Sequence, residues 1–262
     1  METIHYLYTE DKEIFGELKY TSNIFSDYKK HFHTHFGLTL IEEGVLQINY
    51  DIDTQVTLDN SSIAIFNPRQ IHRSEVISAQ GYYVLFLNHE WCENIQEDFF
   101  FHQNILNSPI FYTKLKKIFV NVLKDHKRGI EAELKILIKE LFIQYSSTQR
   151  KVEKEIIRKT KMYIASHSDE SLGVEEVASS IGYAKSYLIR IFKKEVGITP
   201  QHYILNEKVN RAKDLLSYSE TNSLSHISVN AGFFDQSHFN RNFKSHFGTS
   251  PKKYKKVNII QD

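Results

Sequence analysis

Three histidines, His31, His33 and His35, alternate along the chain, and on an extended strand they would share one face, with His72 downstream in Asn67-Pro68-Arg69-Gln70-Ile71-His72. Imidazoles grouped in this way can hold a divalent transition metal. They can equally line a small-molecule site, where apolar walls and a few polar groups fix a ligand. On the second reading His33, Tyr50, His72 and Tyr83 are the candidate ligand-lining residues. No Ser/His/Asp constellation, glycine-rich phosphate loop or paired-carboxylate arrangement stands out, so enzyme chemistry is not expected.

A second group of side chains points to a polyanion. Residues 1–150 hold 15 Lys/Arg against 20 Asp/Glu, whereas residues 151–262 hold 18 against 12, so a net charge of +1 conceals an acidic and a basic part. The basic part carries an internal repeat at a separation of 51 residues: Arg190-Ile191-Phe192-Lys193 recurs as Arg241-Asn242-Phe243-Lys244, Gly197 as Gly248, Thr199-Pro200 as Ser250-Pro251, and Tyr203 as Tyr254. Gly182 pairs with Gly232 at a separation of 50, which puts one extra residue in the second turn. Each copy reads as a short helix, a glycine turn and a longer helix, the layout of a helix-turn-helix.

In the first copy Val174, Val177, Ala178 and Ile181 make the inner face of a helix that Gly182 stops, and Lys185–Val196 forms the second helix on Leu188, Ile191 and Phe192. In the second, Leu224, Ile227 and Ala231 precede Gly232, and Gln236–Phe247 follows on Phe239, Phe243 and Phe247. That leaves Lys185, Ser186, Ile189, Arg190 and Lys193 outward on one, and Gln236, Ser237, His238, Asn240, Arg241 and Lys244 outward on the other. These types bond base edges or phosphates. Arg190 and Arg241 could each read a guanine; for Arg241, pairing with a carboxylate or a phosphate is the alternative.

Upstream, the elements that must position the histidines are short runs of β-branched and aromatic residues, Leu38–Ile41, Val45–Tyr50, Ser62–Phe66 and Tyr82–Leu87, separated by turn-forming breaks. Strands at this spacing imply a sandwich or barrel. After Pro109 the period lengthens: Phe111, Leu115, Ile118, Phe119 and Val122, then Leu134, Leu137, Ile138, Leu141 and Phe142, predict two amphipathic helices in a hairpin. Their apolar stripes must be buried either on the β-rich part or on a second copy of the hairpin, the latter making a homodimer through Pro109–Tyr145. Ser146–Arg150 is a polar stretch where composition turns basic, which sets expected domains of 1–148 and 149–262, with Lys151–Ser166 the first helix of the second. A single cysteine, Cys92, permits no internal disulfide, and the first residues lack the basic start and apolar run of a signal peptide; a cytoplasmic protein is expected.

Leu172–Lys256, and most closely Ile227–Tyr254, resembles the DNA-binding domain of AraC/XylS-family bacterial transcription regulators. The segment from His33-Thr34-His35 through Glu42-Glu43-Gly44 to Pro68 and His72 resembles the cupin-type sensing domain of many such regulators. The resemblance implies a multi-domain fold: an N-terminal cupin-like β-barrel with a helical hairpin, then an all-α double helix-turn-helix. It implies that helix Leu205–Leu216 rigidly joins the two units, so that both recognition helices enter successive major-groove segments about one helical turn apart, ~34 Å. Carried over by position, Lys185, Ser186, Ile189, Arg190, Gln236, Ser237, His238, Asn240 and Arg241 face bases, and Lys193, Lys194 and Lys244 face phosphates. Double-stranded DNA is the implied partner, with a small-molecule effector and RNA polymerase as further ones.

The sequence departs from the family at Ser228 and Ala231, where alanine and a larger aliphatic residue are usual. It departs from metal-dependent cupin enzymes at Thr39 and Leu40, where a glutamate is expected, so no metal and no cofactor is assigned.

Overall fold

A computed structural model describes residues 2–22, 28–50, 54–78, 81–148, 153–168, 172–218 and 223–259. In chain order the elements are β1 (Glu2–Tyr8), β2 (Ile14–Ser22), β3 (Phe36–Glu43), β4 (Leu46–Tyr50), β5 (Thr54–Leu58), β6 (Ser62–Phe66), β7 (His72–Val76), β8 (Gly81–Leu87), α1 (His89–Glu93), β9 (Ile105–Asn107), α2 (Pro109–Leu123) and α3 (Ile130–Tyr145). There follow α4 (Glu155–Ser166), α5 (Val174–Ser180), α6 (Lys185–Val196), α7 (Pro200–Tyr218), α8 (Leu224–Asn230), α9 (Gln236–Phe247) and α10 (Pro251–Ile259). The expected division into a β-rich and a helical part is what the chain shows; the boundary expected after residue 148 falls on residues 149–152, outside those described.

All strand pairs are antiparallel, in a six-stranded sheet ordered β1-β2-β8-β3-β6-β9 and a three-stranded sheet ordered β5-β4-β7. Among the described residues these are two facing sheets rather than one barrel closed by hydrogen bonds all round, which corrects the barrel expectation. The period-2 alternation of the larger sheet explains its two cores. One face, with Leu18, Leu38, Leu40, Ile63, Ile65, Tyr83, Leu85 and Leu87, receives the stripe Phe111, Leu115, Ile118, Phe119 and Val122 of α2 and Leu134, Leu137, Ile138, Leu141 and Phe142 of α3. The hairpin is therefore buried on its own β-rich domain. The opposite face, with Ile41, Ala64, Phe66 and Tyr82, meets Leu46, Ile48, Tyr50, Leu58 and Val76 of the small sheet.

The helical domain has one core per helix-turn-helix. Val174, Val177, Leu188, Phe192 and Val196 cluster with Ile157 and Ile164 of α4; Ile227, Phe233, Phe239, Phe243, Phe247 and Tyr254 form the other cluster. The long helix α7 belongs to both, with Tyr203 and Ile204 in the first and Val209, Ala212 and Leu216 in the second. A rigid element with a residue from every turn in one core or the other fixes the angle between the two units. Gly182 and Gly232 hold φ of 78° and 76° in the tight turns, a left-handed conformation in which a Cβ would be strained.

Candidate nucleic-acid interface

The two longer helices of the repeat begin and end where the sequence places them. In α9 the Asp235 carboxylate accepts from the His238 amide at 2.6 Å, capping the helix; α6 has no side-chain cap. Because Leu188, Phe192 and Val196 turn inward, Lys185, Ser186, Arg190, Lys193 and Lys194 are exposed on the other side of α6 and Ile189 is half-buried. On α9 the inward Phe239, Phe243 and Phe247 leave Gln236, Ser237, His238, Arg241 and Lys244 exposed and Asn240 half-buried. Lys185 meets Glu175 at 2.9 Å, an exposed contact that solvent screens heavily.

The outward face holds aromatic residues that the sequence reading passed over. Tyr183 and Tyr187 stack with ring centroids 5.9 Å apart, and the Arg190 guanidinium lies 5.6 Å from the Tyr187 ring. Phe234, in the longer second turn, is 96% exposed. An aromatic residue in an amphipathic pattern is ordinarily counted as core, so only its position just ahead of a recognition helix could have marked it.

The helical domain docks on the β-rich one through a polar stripe along α7. Asn206, Glu207, Asn210, Lys213, Asp214 and Ser217 recur at three- and four-residue spacing and so lie on one side of the helix. The Asn206 side-chain oxygen accepts from the Phe32 amide at 3.2 Å, and the Asn210 side-chain amide donates to the Phe32 carbonyl at 3.0 Å. Glu207 meets Arg69 at 2.9 Å and Lys213 meets Glu17 at 3.0 Å. Tyr254 donates to the same Glu17 carboxylate, while Lys19 donates to the Phe247 carbonyl at 2.7 Å and meets Glu2 at 2.8 Å. Burial pushes the Asp214 carboxyl up to about 6, with Glu17 and Glu207 adding to the rise and Lys213 and Arg69 opposing it. That stripe was legible as a spacing pattern, yet without the partner surface it reads as a solvated face.

Behind this junction lies a chamber walled by both domains: Lys19, Tyr28, His33, His72 and Tyr82 from the β-rich part, His246 and Phe247 from α9. Of the expected lining residues His33 and His72 are present; Tyr50 and Tyr83 are not. Tyr83 points to the hairpin side of β8, where its hydroxyl donates to Glu42 at 2.7 Å, and its neighbour Tyr82 takes the inward position. Tyr50 is packed between the sheets. The expected trio of alternating histidines is also corrected: β3 starts only at Phe36, and His35, beside the Thr34 hydroxyl, lines a separate cleft.

His246 joins His31, His33 and His72 instead. His31 lies 4.7 Å from His33, 4.3 Å from His72 and 4.7 Å from His246 between ring centroids. Burial pushes all four toward the neutral form, His31 down to about 4 and the other three well below the ordinary histidine value. Neutral imidazoles are acceptors as well as donors, and a ring nitrogen from each of His31, His33 and His246 lies within 4.8 Å of the others.

Two family models match this arrangement, an AraC-like ligand binding domain over residues 20–147 and a helix-turn-helix domain over residues 168–256. The chain belongs to the AraC family of transcription regulators. It is similar to the Msm operon regulatory protein of Streptococcus mutans, 32% identical over 47% of this chain and 44% of that one. It is also similar to the HTH-type transcriptional regulator YbfI of Bacillus subtilis, 25% identical over 82% of each chain. The chain spans about half the length of the first relatives it matches, 44% and 58%. ToxT of Vibrio cholerae shares the fold of this chain, with a TM-score of 0.62 and 14% identity over 98% of this chain and 97% of that one.

Proposed function

We propose that this AraC-family regulator grips double-stranded DNA with the outward faces of α6 and α9, one in each of two successive major-groove segments, and that an effector in the interdomain chamber sets how it does so. The observation that carries the reading is the duplicated polar face. Two recognition helices present Lys185, Ser186, Ile189 and Arg190, and Gln236, Ser237, His238, Asn240 and Arg241, on units whose cores share α7. Lys193, Lys194 and Lys244 flank these faces as phosphate contacts, and the exposed rings of Tyr187 and Phe234 add apolar surface for sugars and thymine methyls. The sensing domain is assigned to residues 1–148 and the DNA-binding domain to 149–262.

The effector reading rests on the chamber having walls from both domains, so that an occupant favours one docking arrangement over another by its differential affinity. ToxT has been solved with an unsaturated fatty acid bound; for the present chain the chamber offers Lys19, Tyr28 and Tyr82 as polar contacts in a mainly apolar wall. Homodimerisation is assigned to the helical hairpin, because Ile136 and Ile143 stand exposed two turns apart on α3 with Ile110 exposed on α2. Sedimentation of the full chain should show a dimer that Ile143→Glu dissociates; a monomer at all concentrations removes this assignment.

The test of DNA reading uses the duplex that the full chain selects from a random pool. Arg190→Ala should weaken that duplex by ~1–3 kcal/mol, about 5–150-fold, and relax preference at one base position. Lys193→Ala should weaken all duplexes alike and make the salt dependence shallower by about one unit of slope. Indistinguishable effects of the two substitutions would show that the base-facing and phosphate-facing assignments are wrong.

A further inference from the structure

We propose that His31, His33 and His246 form a binding site for Zn²⁺, or another divalent transition ion that prefers imidazole, shared between the β-rich domain and the second recognition helix. The His31 and His33 Nε2 atoms are 3.1 Å apart, and nitrogens of a tetrahedral Zn²⁺ site with ~2.0–2.1 Å bonds stand roughly 3.3 Å from one another. One edge of the polyhedron is therefore already at its working length. A ring nitrogen of each of the three lies within 4.8 Å of the others, which groups the side chains on the scale of one coordination sphere.

The backbone fixes which nitrogens carry electron pairs. A carbonyl oxygen only accepts, so the ring nitrogens facing carbonyls must be the protonated ones: His31 Nδ1 at 2.6 Å from Lys29, His246 Nε2 at 3.0 Å from Phe32, and His72 Nδ1 at 3.0 Å from Gln70. That leaves lone pairs on His31 Nε2, His246 Nδ1 and His72 Nε2. An N–H anchored on a carbonyl with the other nitrogen free is how ligating histidines are held. With the site empty, His33 Nε2 donates to His31 Nε2; to ligate, His33 takes the other tautomer, its hydrogen on Nδ1 and its lone pair on Nε2. His33 Nδ1 is buried without a partner among the described residues, so no backbone carbonyl locks His33 in one tautomer and the hydrogen can sit on either nitrogen.

The surroundings select the ion. Phe66, Phe86 and Phe247 pack against the cluster and keep it apolar, with Phe66 4.4 Å from His72 and Phe86 4.5 Å from His33 between centroids. The nearest chamber carboxylate, Glu17, is engaged by Lys213 and Tyr254. Imidazole donors without carboxylates suit Zn²⁺, Cu²⁺, Ni²⁺ or Co²⁺ rather than Mg²⁺ or Ca²⁺. His72 stands beside the three as a reserve fourth donor.

The set spans both domains: His31 and His33 precede β3, and His246 is in the last turn of α9, whose opposite side carries Arg241. An ion bound there ties the second recognition helix to the sensing domain and stabilises the docked arrangement by its binding free energy. This goes beyond the DNA-binding reading and is read on the metal itself, so either can fail without the other.

The test titrates metal-free, full-length protein with Zn²⁺ against a chromophoric chelator and records Zn-edge X-ray absorption. One ion per chain, with three or four nitrogen neighbours at ~2.0–2.1 Å, is the expected result. His246→Gln retains an N–H donor for the Phe32 carbonyl but removes the ring nitrogen, and should weaken binding by more than the ~10–100-fold that loss of an outer partner costs. His226→Gln, on the exposed side of α8, should bind as the parent does. If His246→Gln fails to fold by circular dichroism, His33→Gln takes its place. Binding below one ion per two chains, a spectrum with fewer than two imidazoles, or undiminished affinity in the folded His246→Gln or His33→Gln protein would overturn the proposal.

Discussion

In Lys213→Ala protein, backbone amides of α7 and β2 are expected to exchange with solvent roughly 10²–10³-fold faster than in the parent, while those of β3, β8 and the hairpin keep their protection. The reason is the position of the ammonium. Lys213 is buried against Glu17 at 3.0 Å, with its nitrogen 4.7 Å from the Phe86 ring centroid, and Glu207 and Asp214 lie on the same stripe. Removing one partner of a buried pair leaves an uncompensated charge and costs about 3–5 kcal/mol. The β-rich domain keeps its own core against α2 and α3, whereas each helical core takes two apolar residues from it, Phe32 and Ile71 in one and Ile4 and Tyr6 in the other, so undocking relieves the charge penalty and the loss falls mainly on this junction. The effect should depend on pH in a defined direction. The Asp214 carboxyl is already raised to about 6 against an ordinary 3.8, so the folded form holds its proton more tightly than the unfolded one. The penalty grows as pH rises from about 4 to 6 and is complete above that. Without Lys213 the carboxyl rises further, so undocking should be stronger at pH 8 than at pH 5.5. A Glu17→Gln/Lys213→Met double variant, which removes both charges and keeps an acceptor for Tyr254, should restore most of the protection. Equal exchange in Lys213→Ala and parent protein would mean that the junction is not held by this pair.

What could be read without coordinates follows from which surfaces are self-contained. The bounds of α6 and α9 were legible because each helix buries its apolar stripe inside its own unit, so period and glycine stops sufficed. Strands β1 and β2 were not, because β2 turns Glu17, Lys19 and Thr21 toward the other domain and its pattern of hydrophobicity is broken there. The chamber residues failed for two reasons. Strand register is decided within one residue, and a slip exchanges Tyr83 for Tyr82. Alternation offered His31, His33 and His35 as a set, but the chain is irregular ahead of Phe36, and the third position is filled by His246, which no local spacing can announce. Ser228 was legible as a departure from the family pattern, and its hydroxyl is buried without a partner among the described residues, so the departure is a local cost in the second unit.

Phe243→Ala should melt the second helix-turn-helix and leave the first intact. Phe243 is fully buried, with Phe247, Tyr254 and Phe239 at 4.8, 5.4 and 5.6 Å between ring centroids, so truncation removes the centre of an aromatic cluster. Such a change costs about 3–5 kcal/mol, a large share of the 5–15 kcal/mol that holds a small domain together. The second unit already carries a buried hydroxyl, Ser228 of its short helix α8, that has no partner among the described residues. The first unit rests on Leu188, Phe192 and Tyr203 and shares with the second only the helix α7. Hydrogen exchange should therefore lose protection across α8, α9 and α10 while α5 and α6 retain theirs. On the selected duplex the variant should keep contacts over one half of the site and lose the other, with affinity falling at least as far as for Arg190→Ala. Uniform loss of protection across both units would mean that the two cores act as one cooperative body, and the picture of separable grips joined by a stiff helix would have to be abandoned.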